Sequence, residues 1–387
     1  MTKPQTMPLT RPLFDAEERR LVDACLQSGW VTQGRLTHQF ETLVAARHQV
    51  AFAYACNSCT SALHLAALAL CLGPGDEVVV PAFTWVTSAH SAEYVGAKPV
   101  FCEIELETFN IDPAAFAAAI TPRTKAVVVV HLFGLSARMD EIKTIAARHG
   151  VAIIEDAACA IATTYNGVPV GGLGDLGCFS FHPRKVITTG EGGMVTTNRA
   201  DLAAKVASMR NHGTSAPPGP EAPPAPYTMG QFETIGFNFR LSDIQGAVGV
   251  AQMQKLDGLV AERVGRAHRY DALLAATPDI ATPHVPEKCA HTYQSYVIRV
   301  LEGGRARRNG VMDALAADGI QSRPGTHAVH RLGYYRAKYG LTPEAFPLSA
   351  LAEDISITLP IFPGMTDADQ DRVVATVSAA MSTGTKR

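Results

Sequence analysis

Long apolar runs are missing from this sequence. The longest, around "LHLAALALCLG", falls short of the ~18 residues that mark a membrane span. The segment "MTKPQTMPLTRPLFDAEERR" contains no apolar core of the kind a signal peptide needs. The cytoplasm is the expected compartment, with no membrane partner. An excess of one charge is lacking too: 34 Lys+Arg face 36 Asp+Glu, a formal net charge of −2, and no long basic run occurs. Nucleic acid is therefore not an expected partner. Eight cysteines, at positions 25, 56, 59, 71, 102, 159, 178 and 289, lack the dense array of a small secreted scaffold. Buried free thiols are expected. Neither HExxH nor a pair of CxxC motifs is found, so no metal is expected.

What is there is a chain of 387 residues, enough for two domains at ~150 residues each. In its first two thirds the β-branched runs "DEVVVPAF", "KPVFCEI", "KAVVVVHLF" and "VAIIEDAA" read as strands buried on both faces. Helical patterns lie between them, such as "TSALHLAALALCLG" and "DEIKTIAARHG". This alternation predicts an α/β fold with a mainly parallel, doubly wound sheet. Ligands bind such sheets at the carboxyl ends of the strands. "TSAPPGPEAPPAPYTMG" has six prolines in ten positions and predicts an extended loop. A long helical run, "LSDIQGAVGVAQMQKLDGLVAERVGRAHRYDALLAA", follows it and links the halves. The expected division is a large domain, 1–256, and a smaller α+β domain, 257–387.

Three post-strand sites could carry chemistry. In "AYACNSCTSALHLAALAL" a strand end leads into a helix through Asn57, Ser58, Thr60 and Ser61. Free amides and the positive dipole end suit a phosphate there, or a hydroxyl merely caps the helix. In "VAIIEDAACA", Asp156 leaves a buried strand, to pair with a cation, to hold a ring nitrogen protonated or to cap the next helix. In "CFSFHPRKVITTGEGGMVTTN", Lys185 follows another strand, as an enclosed nucleophile and base or as a surface charge. Ser180 alternates with Cys178 and His182 and could face the same ligand. A phosphate cradle, an acid and a lysine together are what pyridoxal phosphate requires. Trp85 could stack on its ring. Two decoys remain: "GGLGDLG" has GxGxxG spacing before a strand, and Cys56–Cys59 forms one CxxC.

The ordered motifs "SGWVTQGRLTHQFE", "NSCTSALHLA", "GPGDEVVVPAFTWVTSA", "IIEDAACA", "FSFHPRKVITTGEGGMV" and "GFNFRLSDIQGAVG" resemble those of the DegT/DnrJ/StrS-type sugar aminotransferases. That family has the fold of the aspartate aminotransferase class, fold type I. The resemblance implies pyridoxal 5'-phosphate, bound covalently by Lys185, with Asp156 on its ring nitrogen and Trp85 stacked on the ring. Thr60, Ser61 and Ser180 would hold the phosphate. Asn238 would reach the phosphate of the neighbouring subunit, implying a homodimer with shared sites. An amino acid, glutamate or glutamine, would be the donor, and a keto sugar, nucleotide-linked, the acceptor.

Three departures from the family pattern stand out. Cys59 occupies the middle of the usual "SGT". Cys159 replaces a Gln or His beside the ring hydroxyl. The C-terminal "SRPGTHAVHRLGYY" carries Arg323, His327 and His330, which would face the acceptor; His182 is either a neighbour of the lysine or a further substrate contact. Alternatives are a sugar dehydratase, in which His replaces the lysine, and a non-catalytic regulator that binds the cofactor.

Overall fold

The computed structural model describes residues 6–215 and 229–383. Two helices open the chain, α1 (Ala16–Ser28) and α2 (Arg35–His48). Strands β1 (Phe52–Cys56), β2 (Glu77–Pro81), β3 (Phe83–Thr84), β4 (Lys98–Cys102), β5 (Thr124–Val130) and β6 (Ala152–Asp156) then alternate with helices. These helices are α3 (Cys59–Ala69), α4 (Thr87–Glu93), α5 (Pro113–Ala119) and α6 (Met139–His149). A small hairpin, β7 (Thr164–Tyr165) and β8 (Val168–Pro169), leads to β9 (Leu176–Ser180), β10 (Gly193–Thr197) and α7 (Ala200–Met209).

Seven of these strands form one sheet in the order β1-β10-β9-β6-β5-β2-β4. Only β10 runs against the others. The β-branched runs explain why the middle of the sheet is sandwiched. Alternate side chains leave a strand on opposite faces. Val78, Val80, Ala126 and Val128 pack with Leu63 and Leu65 of α3. Val79, Val127 and Val129 pack with Phe116 of α5 and Ile142 of α6 on the other face. Each such valine contributes ~1.5–3 kcal/mol by leaving water.

The amides of the GxGxxG segment are taken up by a carboxylate of the chain itself. The Glu155 carboxylate accepts from the amides of Gly171 (2.8 Å), Leu173 (2.8 Å) and Gly174 (2.7 Å). His131 Nε2 donates to the same carboxylate at 3.0 Å, its Nδ1 being the acceptor of the Ala137 amide. Gly171 has φ +89°, and a Cβ on Gly177 would stand 2.5 Å from the Gly171 carbonyl oxygen. The glycines permit a turn to fold against a strand around a buried carboxylate.

The long helical run is broken at Lys255 into α8 (Asp243–Gln254) and α9 (Leu256–Leu274). Lys255 Nζ pairs with Asp15 (2.6 Å) and Glu18 (2.7 Å) at the start of α1. There follow β11 (Ile280–Ala281), β12 (Tyr296–Val300), α10 (Gly304–Ala317), β13 (His327–Ala328), α11 (Gly333–Tyr339), α12 (Pro347–Ile355), β14 (Ser356–Leu359) and α13 (Asp367–Thr383). An antiparallel sheet, β11-β12-β14, shares an apolar cluster with Tyr270 of α9, Leu315 of α10 and Val377 of α13. Met7, from the far end of the chain, joins that cluster and bonds through its main chain to Gly319 and Gln321. β13 pairs instead with β3, placing His327 opposite Thr84. The proline-rich part of the expected loop, residues 216–228, lies outside the described residues.

Candidate active site

At the carboxyl ends of the parallel strands lies a cavity of 730 Å³. Thr60, Val130, Asp156, Ser180 and Lys185 line it from the large sheet, and Arg323 from the C-terminal part. It is the place where a doubly wound sheet binds its ligands.

One end is the N-terminus of α3. Ser58 is the N-cap, its hydroxyl accepting from the Ser61 amide at 3.1 Å. By helix geometry the first-turn amides of Cys59 and Thr60 have no intrahelical acceptor, which makes this end a site for an anion. Ser58, Cys59, Thr60 and Ser180 line the cavity here. Ser61 does not line it: its hydroxyl donates to Asn57 Oδ1 at 2.6 Å. Its expected contact to a phosphate therefore finds no support in this geometry, because capping and the Asn57 bond engage it.

Asp156 ends β6 and is buried. Its Oδ2 accepts from the Ser88 hydroxyl at 2.7 Å, and its Oδ1 from the Ala158 amide at 3.2 Å. Ser88 in turn lies 2.9 Å from the Thr84 hydroxyl. Burial pushes the carboxyl above the usual range, opposed by the Ser88 and Ala158 bonds and by the Lys185 charge. A cation brought to this carboxylate would restore its charged form. Ser88 was not anticipated from sequence. The register of "TWVTSAH" on α4 is its only signal.

Lys185 stands 3.2 Å from the Cys159 sulfur. Its amide donates to the His182 carbonyl at 2.8 Å, a turn that brings the side chain back over the end of β9. The Lys185 and Asp156 charges interact across the cavity. The lysine, acid and anion cradle expected from sequence are thus brought together.

The remaining expected residues divide. Trp85 is 54% exposed on the cavity wall, its ring centroid 5.5 Å from that of His327. His182 and His327 line the cavity. Asn238 is exposed and does not, its neighbour across a β-bridge being Asn211. His330 corrects an expectation. It is buried away from the cavity, with Nε2 3.0 Å from the Pro343 carbonyl and its ring against Phe346. The residue falls in a short helical turn after β13, which rotates it into the core.

The CxxC pair does not suit thiol exchange, which needs a thiolate. Burial pushes Cys56 up to about 12 and holds Cys59 well above its ordinary value. Cys56 donates to the Ser58 carbonyl within its own turn.

Pyridoxal phosphate, the cofactor implied by the sequence, fits what is present. Helix amides and hydroxyls offer a dianion site, and among the described residues the buried acid has no cationic hydrogen-bond partner and the lysine bonds only to a thiol. Among the described residues no cluster suited to a metal ion occurs.

Comparison with known proteins agrees with this arrangement. GDP-perosamine synthase of Caulobacter vibrioides is 40% identical over 372 residues, 96% of this chain and 97% of that protein. The PMP form of Spr1654 from Streptococcus pneumoniae superposes with a TM-score of 0.92 at 27% identity, covering 97% of this chain and 99% of that one. Helicobacter pylori PseC, an aminotransferase involved in pseudoaminic acid biosynthesis, gives a TM-score of 0.91 at 26% identity, covering 98% and 100%. Residues 12–378 match one family throughout, and the chain belongs to the DegT/DnrJ/EryC1/StrS aminotransferase family.

Proposed function

We propose that this aminotransferase uses pyridoxal phosphate to move an amino group from an amino acid to a keto sugar in amino-sugar biosynthesis. The observation that carries the reading is the convergence of Lys185, Asp156 and the α3 N-terminus on one cavity. Supporting it are relatives named as a GDP-perosamine synthase and as an aminotransferase of pseudoaminic acid biosynthesis. Glutamate or glutamine is the proposed donor. A nucleotide-linked keto sugar is the proposed acceptor, in the cytoplasm.

The cofactor, when bound, supplies the electron sink that lets an amino acid lose its α-proton. Every other part of the reaction falls to this chain. Thr60, Ser180 and the amides of Cys59 and Thr60 would hold the phosphate. Asp156, drawn toward its charged form by Ser88 and Ala158 against burial, would hold the ring nitrogen protonated. Trp85 would stack on the ring, and Cys159 lies beside Lys185. Lys185 would hold the cofactor through Nζ and, when released from it by the donor's amine, would accept and return the proton as base and then acid.

Two further proposals complete the picture. Residues 1–256 form the cofactor domain and 257–387 a smaller α+β domain, on which the Met7 segment also packs. The active form is a homodimer, with Asn238 completing the phosphate site of its neighbour. Met229, Phe232 and Ile235, 80%, 63% and 87% exposed, precede Asn238 and give a partner an apolar surface to cover.

The test is spectroscopic. L-Glutamate added to the protein loaded with pyridoxal phosphate should convert it to the pyridoxamine form, and a keto sugar from a panel should convert it back. Conversion by no amino acid would refute the reading.

A further inference from the structure

His182 and Lys185 share one turn. The Lys185 amide donates to the His182 carbonyl at 2.8 Å, and the Arg184 amide donates to His182 Nδ1 at 3.1 Å. With Nδ1 engaged as an acceptor, a neutral ring carries its proton on Nε2. The ring is neutral at neutral pH. Burial lowers its pKa below 6.5, Glu191 opposes this, and the charges of Arg184, Lys185 and Arg323 add to it. Nε2–H is thus a fixed donor on the cavity wall.

Glu191 faces it. The main chain there is pinned, the Glu191 carbonyl accepting from Thr189 Oγ1 at 2.7 Å and from Gln245 Nε2 at 2.6 Å. Its side chain is exposed on the same cavity, and among the described residues the carboxylate accepts no hydrogen bond. Glu191 Oε1 stands 4.0 Å from His182 Nε2, too far for a bond between them. One oxygen fits that gap at ordinary bond lengths of about 2.8 Å, accepting from Nε2–H and donating to the carboxylate. A hydroxyl does both. A carboxylate or phosphate only accepts, and Glu191 would repel it; an ammonium only donates, and would confront Nε2–H.

We infer that His182 and Glu191 together grip one hydroxyl of the acceptor, the one on the ring carbon next to the ketone. This rests on the acceptor being a keto sugar, as proposed above. The proposed donors do not compete for the pair, because glutamate and glutamine bear no alcohol. Position selects which hydroxyl is held. In the proposed reaction Lys185 handles the proton at the carbon that takes the nitrogen. The turn that sets Lys185 also sets His182, so the gripped group belongs to the adjoining carbon. His182 thereby becomes a substrate contact, and Glu191 joins it although the glycines around it gave no signal.

The second half-reaction isolates this assignment. Wild-type, His182→Phe and Glu191→Ala proteins, each in the pyridoxamine form, are mixed with one of two ketones. One is GDP-4-keto-6-deoxy-D-mannose, the ketone that corresponds to GDP-perosamine, and the other is its 3-deoxy counterpart. The first has one hydroxyl beside the ketone and the second has none. Return of the visible absorbance of the lysine-bound cofactor gives the rates. Calorimetry gives the affinity of each ketone for the pyridoxal form, which has no amino group to transfer. The wild type should favour the hydroxylated ketone in both readouts. Glu191→Ala should lose about 10-fold or more of that preference, the cost of a hydrogen bond to a charged group. His182→Phe should lose about 5-fold, the cost of a neutral one. Equal slowing with both ketones would mean that the pair only supports the lysine turn, and a wild type without preference would mean that the gap holds water. Either result overturns the assignment. A wild type converted by neither ketone would instead remove the keto-sugar reading, and this inference with it.

Discussion

The Ser88 hydroxyl donates to Asp156 Oδ2 at 2.7 Å, tying α4 to the end of β6 inside the cavity wall. Burial favours the neutral acid, and this bond favours the carboxylate. In Ser88→Ala the upward push of burial loses an opponent, so Asp156 takes up its proton at a higher pH. A hydrogen bond to a charged group contributes roughly 1.5–3 kcal/mol. The acid limb of kcat/KM should therefore move to higher pH. The alkaline limb should stay in place. A pH–rate profile identical to wild type would separate Ser88 from the function of Asp156.

Glu155 should show the opposite pH behaviour, read in stability. Burial raises its carboxyl, but His131 and the amides of Gly171 and Gly174 outweigh burial and hold it below the ordinary 4.5. A lowered acid stabilises the fold in full above its unfolded value, and this contribution is lost as pH falls through the folded one. Glu155→Gln should cost about 3–5 kcal/mol at pH 7, as breaking a buried pair does. Urea denaturation at a series of pH values should show that gap closing below 4.5.

Thiol labelling can read the contents of the cavity. Cys159 is partly exposed on the wall beside Lys185, whereas Cys25, Cys56, Cys102 and Cys178 are buried. Iodoacetamide should modify Cys159 and the exposed Cys71 first, and pyridoxal phosphate should protect Cys159 but not Cys71. Peptide mass spectrometry would decide. Equal labelling of Cys159 with and without cofactor would place the cofactor elsewhere.

Complementation tests the shared site. Lys185→Ala and Asn238→Ala homodimers should each be inactive, the first also losing the visible absorbance of the lysine-bound cofactor. A verified heterodimer carries one site with both native residues, so it should recover up to about half of wild-type turnover. Absence of any recovery would confine each site to one chain.

The middle of the sheet was legible because β-branched runs have few other ways to be buried. Val127 and Val128 can face opposite layers only in a strand covered on both sides. Asp156 could be placed because it follows such a run, and Lys185 and Thr60 because each follows a short apolar run, "GCFSF" or "AYAC". What escaped were contacts set by the packing of one element on another. Ser88 is one hydroxyl among several in "TWVTSAH" until α4 settles against β6. Ser61 looked equivalent to Thr60, but one residue's rotation of the helix, about 100°, separates a wall from its support. His330 looked equivalent to His327, and a short turn buried it. Glu191 was hidden in a glycine-rich turn, since sequence gives no measure of which side chain such a turn brings to face His182.

The pairing of β13 with β3 bears on how the cavity admits its substrates. His327 lies opposite Thr84, and the Val329 amide donates to the Ala82 carbonyl at 2.7 Å. The segment carrying Arg323 and His327 is thereby stitched, by main chain, to the strand that leads into Trp85. The cavity wall they form has a frame of backbone rungs. Selection among acceptors then falls to the side chains hung on that frame, and a bulkier sugar is admitted by trimming His327 or Trp85 while the rungs stay closed.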